Sequence, residues 1–244
     1  MGSRSLLPLD KAPRKIADMF DAIAGRYDFL NRVLSIGFDR NWRARAVRSL
    51  NLGPADVALD LCTGTADLAL GLLTVGRVGR VIGIDFAAAM LRHARAKIRE
   101  AGLDDRIALF RGDATRIPMG GSVVEGVAIG FGIRNVAEPV VALREAHRVL
   151  RPGGRLAILE FGYPSFAPIR VVYLAYFKLV LPMVGRLISG HQGAYTYLPA
   201  SVGNFYPPDT FCELLREAGF VEVRAIPLTA GVVYLYEARR PGEA

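Results

Sequence analysis

The sequence predicts an α/β protein built on a mostly parallel, seven-stranded sheet that a C-terminal antiparallel hairpin closes. Three observations predict it. Between Val57 and Glu160, five short β-rich apolar runs alternate with segments of helical periodicity. That order gives a parallel sheet covered by helices on both faces. Further on, Phe220–Pro227 and Val232–Glu237 are two more such runs. The link between them, Thr229-Ala-Gly231, is too short for a parallel crossover, so these two runs must pair antiparallel.

Each element has its own signal. Ile16, Met19, Phe20 and Ile23 recur at helical spacing and predict an amphipathic first helix. Two more helical pieces, near Phe29–Ile36 and Arg40–Leu50, complete an N-terminal extension over 1–50. Strands at Val57–Leu61, Arg80–Ile84, Ile107–Phe110, Val123–Ile129 and Leu156–Glu160 follow. Helices at about Asp67–Leu73, Ala87–Ala101 and Pro139–Leu150 connect them, giving a core over 51–161. Residues 162–206 contain an apolar helical stretch, Ile169–Ile188, and then an expected loop around His191–Tyr206. Residues 207–244 hold a helix at about Pro208–Ala218 and the hairpin. No repeat or linker divides these parts, so 1–244 reads as a single domain.

Composition narrows the class. The chain has 244 residues, 52% hydrophobic and 22% charged, the mix of a packed globular protein. Two cysteines, Cys62 and Cys212, exclude a disulfide scaffold and a four-thiolate metal site. His93, His147 and His191 show no metal-ligand spacing, so no metal is expected. The first residues lack the apolar run of a signal peptide, and a cytoplasmic location is the default. Lys+Arg number 31 against 23 Asp+Glu, a net charge of +8, and only four of the bases are lysines. Genome composition and a charged partner, nucleic acid or anionic lipid, both account for that excess. Mean hydropathy is +0.27, and Ile169–Ile188 is the most apolar stretch. Arg170, Lys178, Pro182 and Arg186 break it well short of the roughly 18 uncharged residues of a spanning helix. It does not span a membrane, but it can touch one.

The loop after the first strand carries the first functional signal. The run Leu59-Asp-Leu-Cys-Thr-Gly-Thr-Ala-Asp67 leaves a strand and enters a helix. In open α/β sheets, ligands bind beyond the carboxyl ends of such strands. Gly64 allows close backbone approach, Thr65 offers a hydroxyl and an amide at the helix start, and Asp60, next to the last strand residue, is a further candidate cofactor-binding group. A dinucleotide site expects G-x-G-x-x-G, but Ala66 and Leu68 interrupt that pattern. A pyrophosphate therefore fits less well than a ligand with an uncharged sugar–sulfur middle. Asp85, at the end of the second strand, can accept both hydroxyls of an adenosine ribose, in NAD and S-adenosylmethionine alike. In Gly112-Asp-Ala114, after the third strand, Asp113 can take an adenine amino group. Either aspartate alone reads equally well as a helix cap. Two acids and a Gly-Thr loop at three successive strand ends point to a cofactor site.

A sheet closed in this way resembles the Rossmann-like class I S-adenosylmethionine methyltransferases. More specific motifs lie outside the cofactor loop. Phe20-Asp-Ala-Ile-Ala-Gly-Arg-Tyr-Asp-Phe-Leu-Asn31, continuing through Ser35 to Trp42, is similar to the N-terminal signature of the ubiquinone/menaquinone biosynthesis C-methyltransferases of the UbiE/MenG type. Arg148-Val-Leu-Arg-Pro-Gly-Gly-Arg155 with Glu160 resembles the second signature of that family. Phe131-Gly-Ile-Arg-Asn135 and Leu228-Thr-Ala-Gly-Val-Val233 also look like family hallmarks. Asp39 stands where the family usually has His, Leu30 where it has Met, and Gly162 where it has Ser. The resemblance places S-adenosyl-L-methionine against Thr65, Asp85, Asp113 and Ala114. It also implies Gly130 at a position where some members use a contacting serine.

The implied reaction is carbon methylation of a prenylated quinol, demethylmenaquinol to menaquinol. A ubiquinone precursor or another small aromatic is the alternative acceptor. Such chemistry needs an electron-rich ring, a methyl donor held in line and a base, and it needs no metal. Arg134 and Asn135, after the fourth strand, are placed to stabilise a developing quinolate oxygen and to orient a hydroxyl. Tyr27 and Asp28 either cap the pocket or end a packed helix. Tyr195 and Tyr197 either stack on the ring or pack locally. In this reading 1–50 is a helical lid, 51–161 the cofactor-binding core and 162–206 an apolar substrate cap. The stretch at 169–188 meets lipid at the inner face of the cell membrane, or else packs against the core or a second subunit of a homodimer. A nucleic-acid methyltransferase would share the fold and use the +8 charge. No Lys/Arg cluster longer than two or three residues supports it, and no nucleic-acid partner is expected.

Overall fold

The structure, a computed structural model, describes residues 13–164, 167–175 and 192–242. Three helices come first: α1 (Pro13–Ile23), α2 (Tyr27–Leu34) and α3 (Asp39–Ser49), with a 3-10 turn, Ala24–Arg26, between the first two. The alternating core follows as β1 (Val57–Leu61), α4 (Asp67–Thr74), β2 (Arg80–Asp85), α5 (Ala88–Glu100), β3 (Ile107–Arg111), β4 (Val124–Gly130), α6 (Pro139–Val149) and β5 (Leu150–Phe161). Then come α7 (Ala167–Ala175), α8 (Gln192–Gly203), α9 (Pro208–Glu217), β6 (Val221–Leu228) and β7 (Val233–Arg239).

The seven strands form one sheet in the order β3-β2-β1-β4-β5-β7-β6. The pairs β3–β2, β2–β1, β1–β4 and β4–β5 are parallel, while β7 runs antiparallel to both β5 and β6. From β1 the sheet grows to one side through β2 and β3 and then to the other through β4 and β5, so the strand order switches between β1 and β4, and a cleft opens there at the strand ends.

Period-two alternation sorts the interior into two layers. Leu59, Leu61, Val127, Ile129, Leu156, Ile158 and Tyr236 face one side with Leu143 of α6 and Phe211 of α9. Ala58, Ala128, Ala157, Leu159 and Leu235 face the other, against Trp42, Leu72 and Ile98 from α3, α4 and α5. Small alanines on the second face let those helices approach closely.

Two differences from the sequence reading concern residues 162–206. The loop expected around His191–Tyr206 is largely helix α8, with Pro199 inside it. Gly193 and Pro199 read locally as breakers. The helix is held instead by burial of Ser201 and Val202, the latter against Tyr173, Phe161 and Val232. Of the apolar stretch expected at 169–188, residues 169–175 lie in α7. The rest falls outside the described residues, as do His191 and the side chain of Tyr195. Among the described residues, no helix is long and apolar enough to cross a membrane.

Candidate active site

The carboxyl ends of β1, β2, β3 and β4 converge on one cleft with about 1070 Å³ of empty space, its open mouth included. Cys62 and Gly64 line it from β1, Asp85 and Phe86 from β2, Asp113, Ala114 and Thr115 from β3. Gly130, Phe131, Gly132 and Asn135 line it from β4, Phe20 and Tyr27 from the N-terminal helices, and Met90 from α5.

The loop after β1 has an unusual backbone. Cys62, Gly64 and Ala66 all have positive φ, at 60°, 56° and 67°. A Cβ added at Gly64 would meet nothing within 4 Å, so the glycine borders open cleft. Its N–H donates to Asp85 Oδ2 at 2.8 Å, and Ala87 N–H donates to Asp85 Oδ1 at 2.9 Å. Opposite, Gly132 passes so close to Cys62 that a Cβ there would come within 2.4 Å of the cysteine Cβ. Gly132 thereby allows the two strand-end loops to touch and form the floor.

Asp85 is buried. Burial pushes its carboxyl above the usual carboxylate range, while the amides of Ala87, Gly64 and Phe86 hold it down. Each oxygen has a second lone pair for a ligand hydroxyl. Asp113 Oδ1 accepts from Thr115 N–H at 2.8 Å and stands beside Ala114 on the adjoining wall. Burial raises the Cys62 thiol well above its ordinary value, so it is a neutral wall group and not a thiolate. Burial likewise raises the Tyr27 hydroxyl, offset by a hydrogen bond with Asn31. Tyr27 therefore stays protonated and can donate. The wall formed by Phe20, Tyr27, Phe86, Met90 and Phe131 is apolar and mostly aromatic.

Of the residues expected at the site, Asp85, Asp113, Ala114, Gly64, Asn135 and Tyr27 line one cleft. Three are placed elsewhere. Thr65 is buried, and its hydroxyl donates to Asp28 Oδ1. Asp60 sits beneath the loop, accepting from Thr63 Oγ1 at 2.6 Å, and burial pushes its carboxyl up to about 7. Arg134 is the third. It does not line the cleft; its guanidinium donates to Glu160 Oε1 at 2.9 Å and to the Phe131 carbonyl, and reaches Ser201 Oγ at 3.3 Å. It also lies 5.4 Å from the Phe161 ring centre. Glu160 is fully buried, and a buried carboxylate requires such a partner. Arg134 is therefore a support beneath the Phe131–Asn135 turn.

The structure also adds residues that the sequence reading passed over. Phe20, Cys62 and Phe131 lie inside the quoted motifs, but only their polar neighbours carried a chemical signal. Met90 belongs to a helical stripe that reads as core. Asn135 Oδ1 accepts from the Tyr197 hydroxyl at 3.0 Å, so α8 orients this amide. Asp21 of α1 accepts from Ala89 N–H at 2.8 Å, which fixes α1 over the start of α5 and sets Phe20 into the wall.

Comparison with known proteins agrees with this geometry. Residues 9–240 match the ubiE/COQ5 methyltransferase family. The chain is 46% identical over 224 residues to the demethylmenaquinone methyltransferase of Thermus thermophilus, covering 91% of this chain and 100% of the relative. It is 43% identical over 227 residues to the ubiquinone/menaquinone biosynthesis C-methyltransferase UbiE of Syntrophotalea carbinolica, covering 92% and 94%. Among solved structures, the fold resembles a SAM-dependent methyltransferase of Thermotoga maritima described as a possible histamine N-methyltransferase. The TM-score is 0.63 at 18% identity, over 91% of this chain and 98% of that one. With the cleft at the switch point, the signatures at both ends and a match over nearly every residue, the chain belongs to the ubiE/COQ5 methyltransferase family.

Proposed function

We propose that this protein methylates a ring carbon of demethylmenaquinol, giving menaquinol, with S-adenosyl-L-methionine as donor. The observation that carries the reading is a single cleft that joins the Asp85–Asp113 carboxylates to the aromatic wall of Phe20, Tyr27, Phe86 and Phe131. A polar nucleoside and a flat apolar ring need those two surfaces side by side. Relatives named demethylmenaquinone methyltransferase, at 40–46% identity, support the choice of acceptor.

The donor fits the residues present. Gly64 leaves room for close approach, Asp85 offers lone pairs for ribose hydroxyls, and Asp113 with Ala114 borders the adenine end. When bound, S-adenosyl-L-methionine supplies a methyl group on a positively charged sulfur. The chain does the rest by holding and excluding. Tyr27 donates to a ring oxygen, and Asn135, oriented by Tyr197, fixes the second polar edge of the ring. Phe20 and Phe131 hold the ring plane and exclude water, so little reorganisation remains at the moment of transfer. The ring hydroxyl proton must leave to a base other than Cys62 or Tyr27, because burial keeps both of those protonated and unable to accept it.

In this reading 1–50 acts as lid, 51–161 as cofactor core and 162–206 as substrate cap. The protein visits the inner face of the cell membrane, where a prenylated quinol resides. The name of the Syntrophotalea relative, which spans both quinones, favours a ubiquinone precursor as the second acceptor. Purified protein, S-adenosyl-L-methionine and each prenylated quinol test the choice. Methylated naphthoquinol is the expected product. Methyl transfer to the ubiquinone precursor alone would select the second acceptor, and transfer to no quinol would overturn both.

A further inference from the structure

Helix α2 and the turn between it and α3 carry apolar surface that neither the cleft nor the core uses. Phe29 is 58% exposed, Ile36 78% and Phe38 46%. Ile36 also has φ of 51°, a left-handed conformation that crowds a β-branched side chain. Glycine or asparagine would sit there without strain, and this isoleucine recovers nothing by packing. The turn is nonetheless well tied. Gly37 N–H donates to Arg32 O at 2.9 Å, Phe38 N–H to Ser35 O at 3.0 Å, and Ser35 Oγ to Asp39 Oδ1 at 2.9 Å. The apolar groups are held outward by a fixed backbone.

Charge indicates what fits. Residues 26–48 contain six arginines and two aspartates, a net +4 that is half of the whole chain's +8. Both aspartates are engaged, Asp28 with Lys97 and Thr65, Asp39 with Arg43 and Ser35. Arg32 and Arg40, on either side of the turn, are exposed. A partner must therefore accept three exposed apolar side chains and offer negative groups around them. A bilayer with acidic headgroups does both, whereas a nucleic acid would leave Ile36 and Phe29 in water. The position also suits delivery. Phe38 stacks on Trp42 at 6.3 Å, and Trp42 lies 6.2 Å from Phe131 in the cleft wall. Two ring contacts join this surface to the site.

We infer that α2 and the turn that leads into α3 form a membrane-docking surface, with Phe29, Ile36 and Phe38 entering the interface of an anionic bilayer and Arg32 and Arg40 lying against its headgroups. For its purpose the docking rests on the quinol reading, since a prenylated acceptor has to be reached from the bilayer.

The test is co-sedimentation of the full chain with vesicles free of any quinol. One set is phosphatidylcholine alone, and the other is phosphatidylcholine and phosphatidylglycerol in equal parts. The wild type binds the mixed vesicles and not the neutral ones. Ile36→Asn relieves the backbone strain, so the protein folds at least as well, while partition falls by about tenfold. Arg32→Gln and Arg40→Gln each lower binding to mixed vesicles by about fivefold. Wild-type binding indifferent to phosphatidylglycerol, or unchanged by Ile36→Asn, overturns the proposal. So does a dimer that Ile36→Asn converts to monomer in sedimentation without affecting vesicle binding, because a second copy would then cover the turn. Failure of the quinol reading looks different: vesicle binding persists and no quinol, soluble or embedded, is methylated.

Discussion

The hydroxyl of Thr65 donates to the carboxylate of Asp28, joining the glycine loop that borders the cleft to the second helix of the N-terminal extension. The other Asp28 oxygen pairs with Lys97, which also holds Asp67 at 2.7 Å. A side chain expected to touch a ligand is instead bonded to the N-terminal helices, at the residue directly after Tyr27, which lines the cleft.

Replacing Asp28 with Ala should therefore weaken S-adenosyl-L-methionine binding more than it weakens the fold. The Asp28 and Lys97 side chains are 35% and 28% exposed, and pairs that wet contribute at most about 1 kcal/mol. Calorimetric titration should show a several-fold loss of affinity with a thermal midpoint within a few degrees of wild type. An equal affinity would show that this link to the N-terminal helices has no bearing on donor binding.

Arg134 and Glu160 make the opposite prediction. Both are buried, and removing one charge leaves the other unpaired, at a cost of about 3–5 kcal/mol. Urea unfolding of Arg134→Ala should show a loss of that size. If Arg134→Ala unfolds like wild type and only methyl transfer falls, the guanidinium acts on the substrate after all.

Asp60 makes stability depend on pH. Its folded carboxyl titrates near 7, above an unfolded value of 3.8. The folded state thus binds the extra proton between these values, so this residue's contribution falls as pH rises from about 4 to 7 and stays low above it. Asp60→Asn keeps an acceptor for Thr63 without the charge. It should be more stable than wild type at pH 8, and the gap should close toward pH 4, as unfolding at a series of pH values would show. A gap independent of pH would mean that Asp60 ionises normally.

Gly64→Ala should cost about 1–2 kcal/mol through its positive φ. The added methyl points into open cleft and not against protein atoms. Donor binding should consequently fall by more than the strain explains, and comparing unfolding with ligand titration separates the two losses.

Much of this protein could be read in one dimension. Alternating short strands and helices are local patterns, and the three-residue link at Thr229–Gly231 permits only one pairing, which β6 and β7 adopt. Gly64, Asp85 and Asp113 were legible because chain order places them at consecutive strand ends. Helix α8 was not legible: Gly193 and Pro199 oppose it locally, and burial of Ser201 and Val202 outweighs them.

Side-chain partnership was likewise hidden. Arg134, Thr65 and Asp60 carry the right chemistry at the right strand ends, and nothing in their spacing tells a ligand contact from an internal one. Periodicity and connection length suffice for the sheet, its switch point and the set of polar groups gathered there. Only the tertiary structure decided which of those groups face the cleft. Glu160 lies 26 positions from Arg134, and Asp28 lies 37 positions from Thr65. A buried charge or hydroxyl takes whichever partner the packing brings within about 3 Å, and sequence distance does not record that choice.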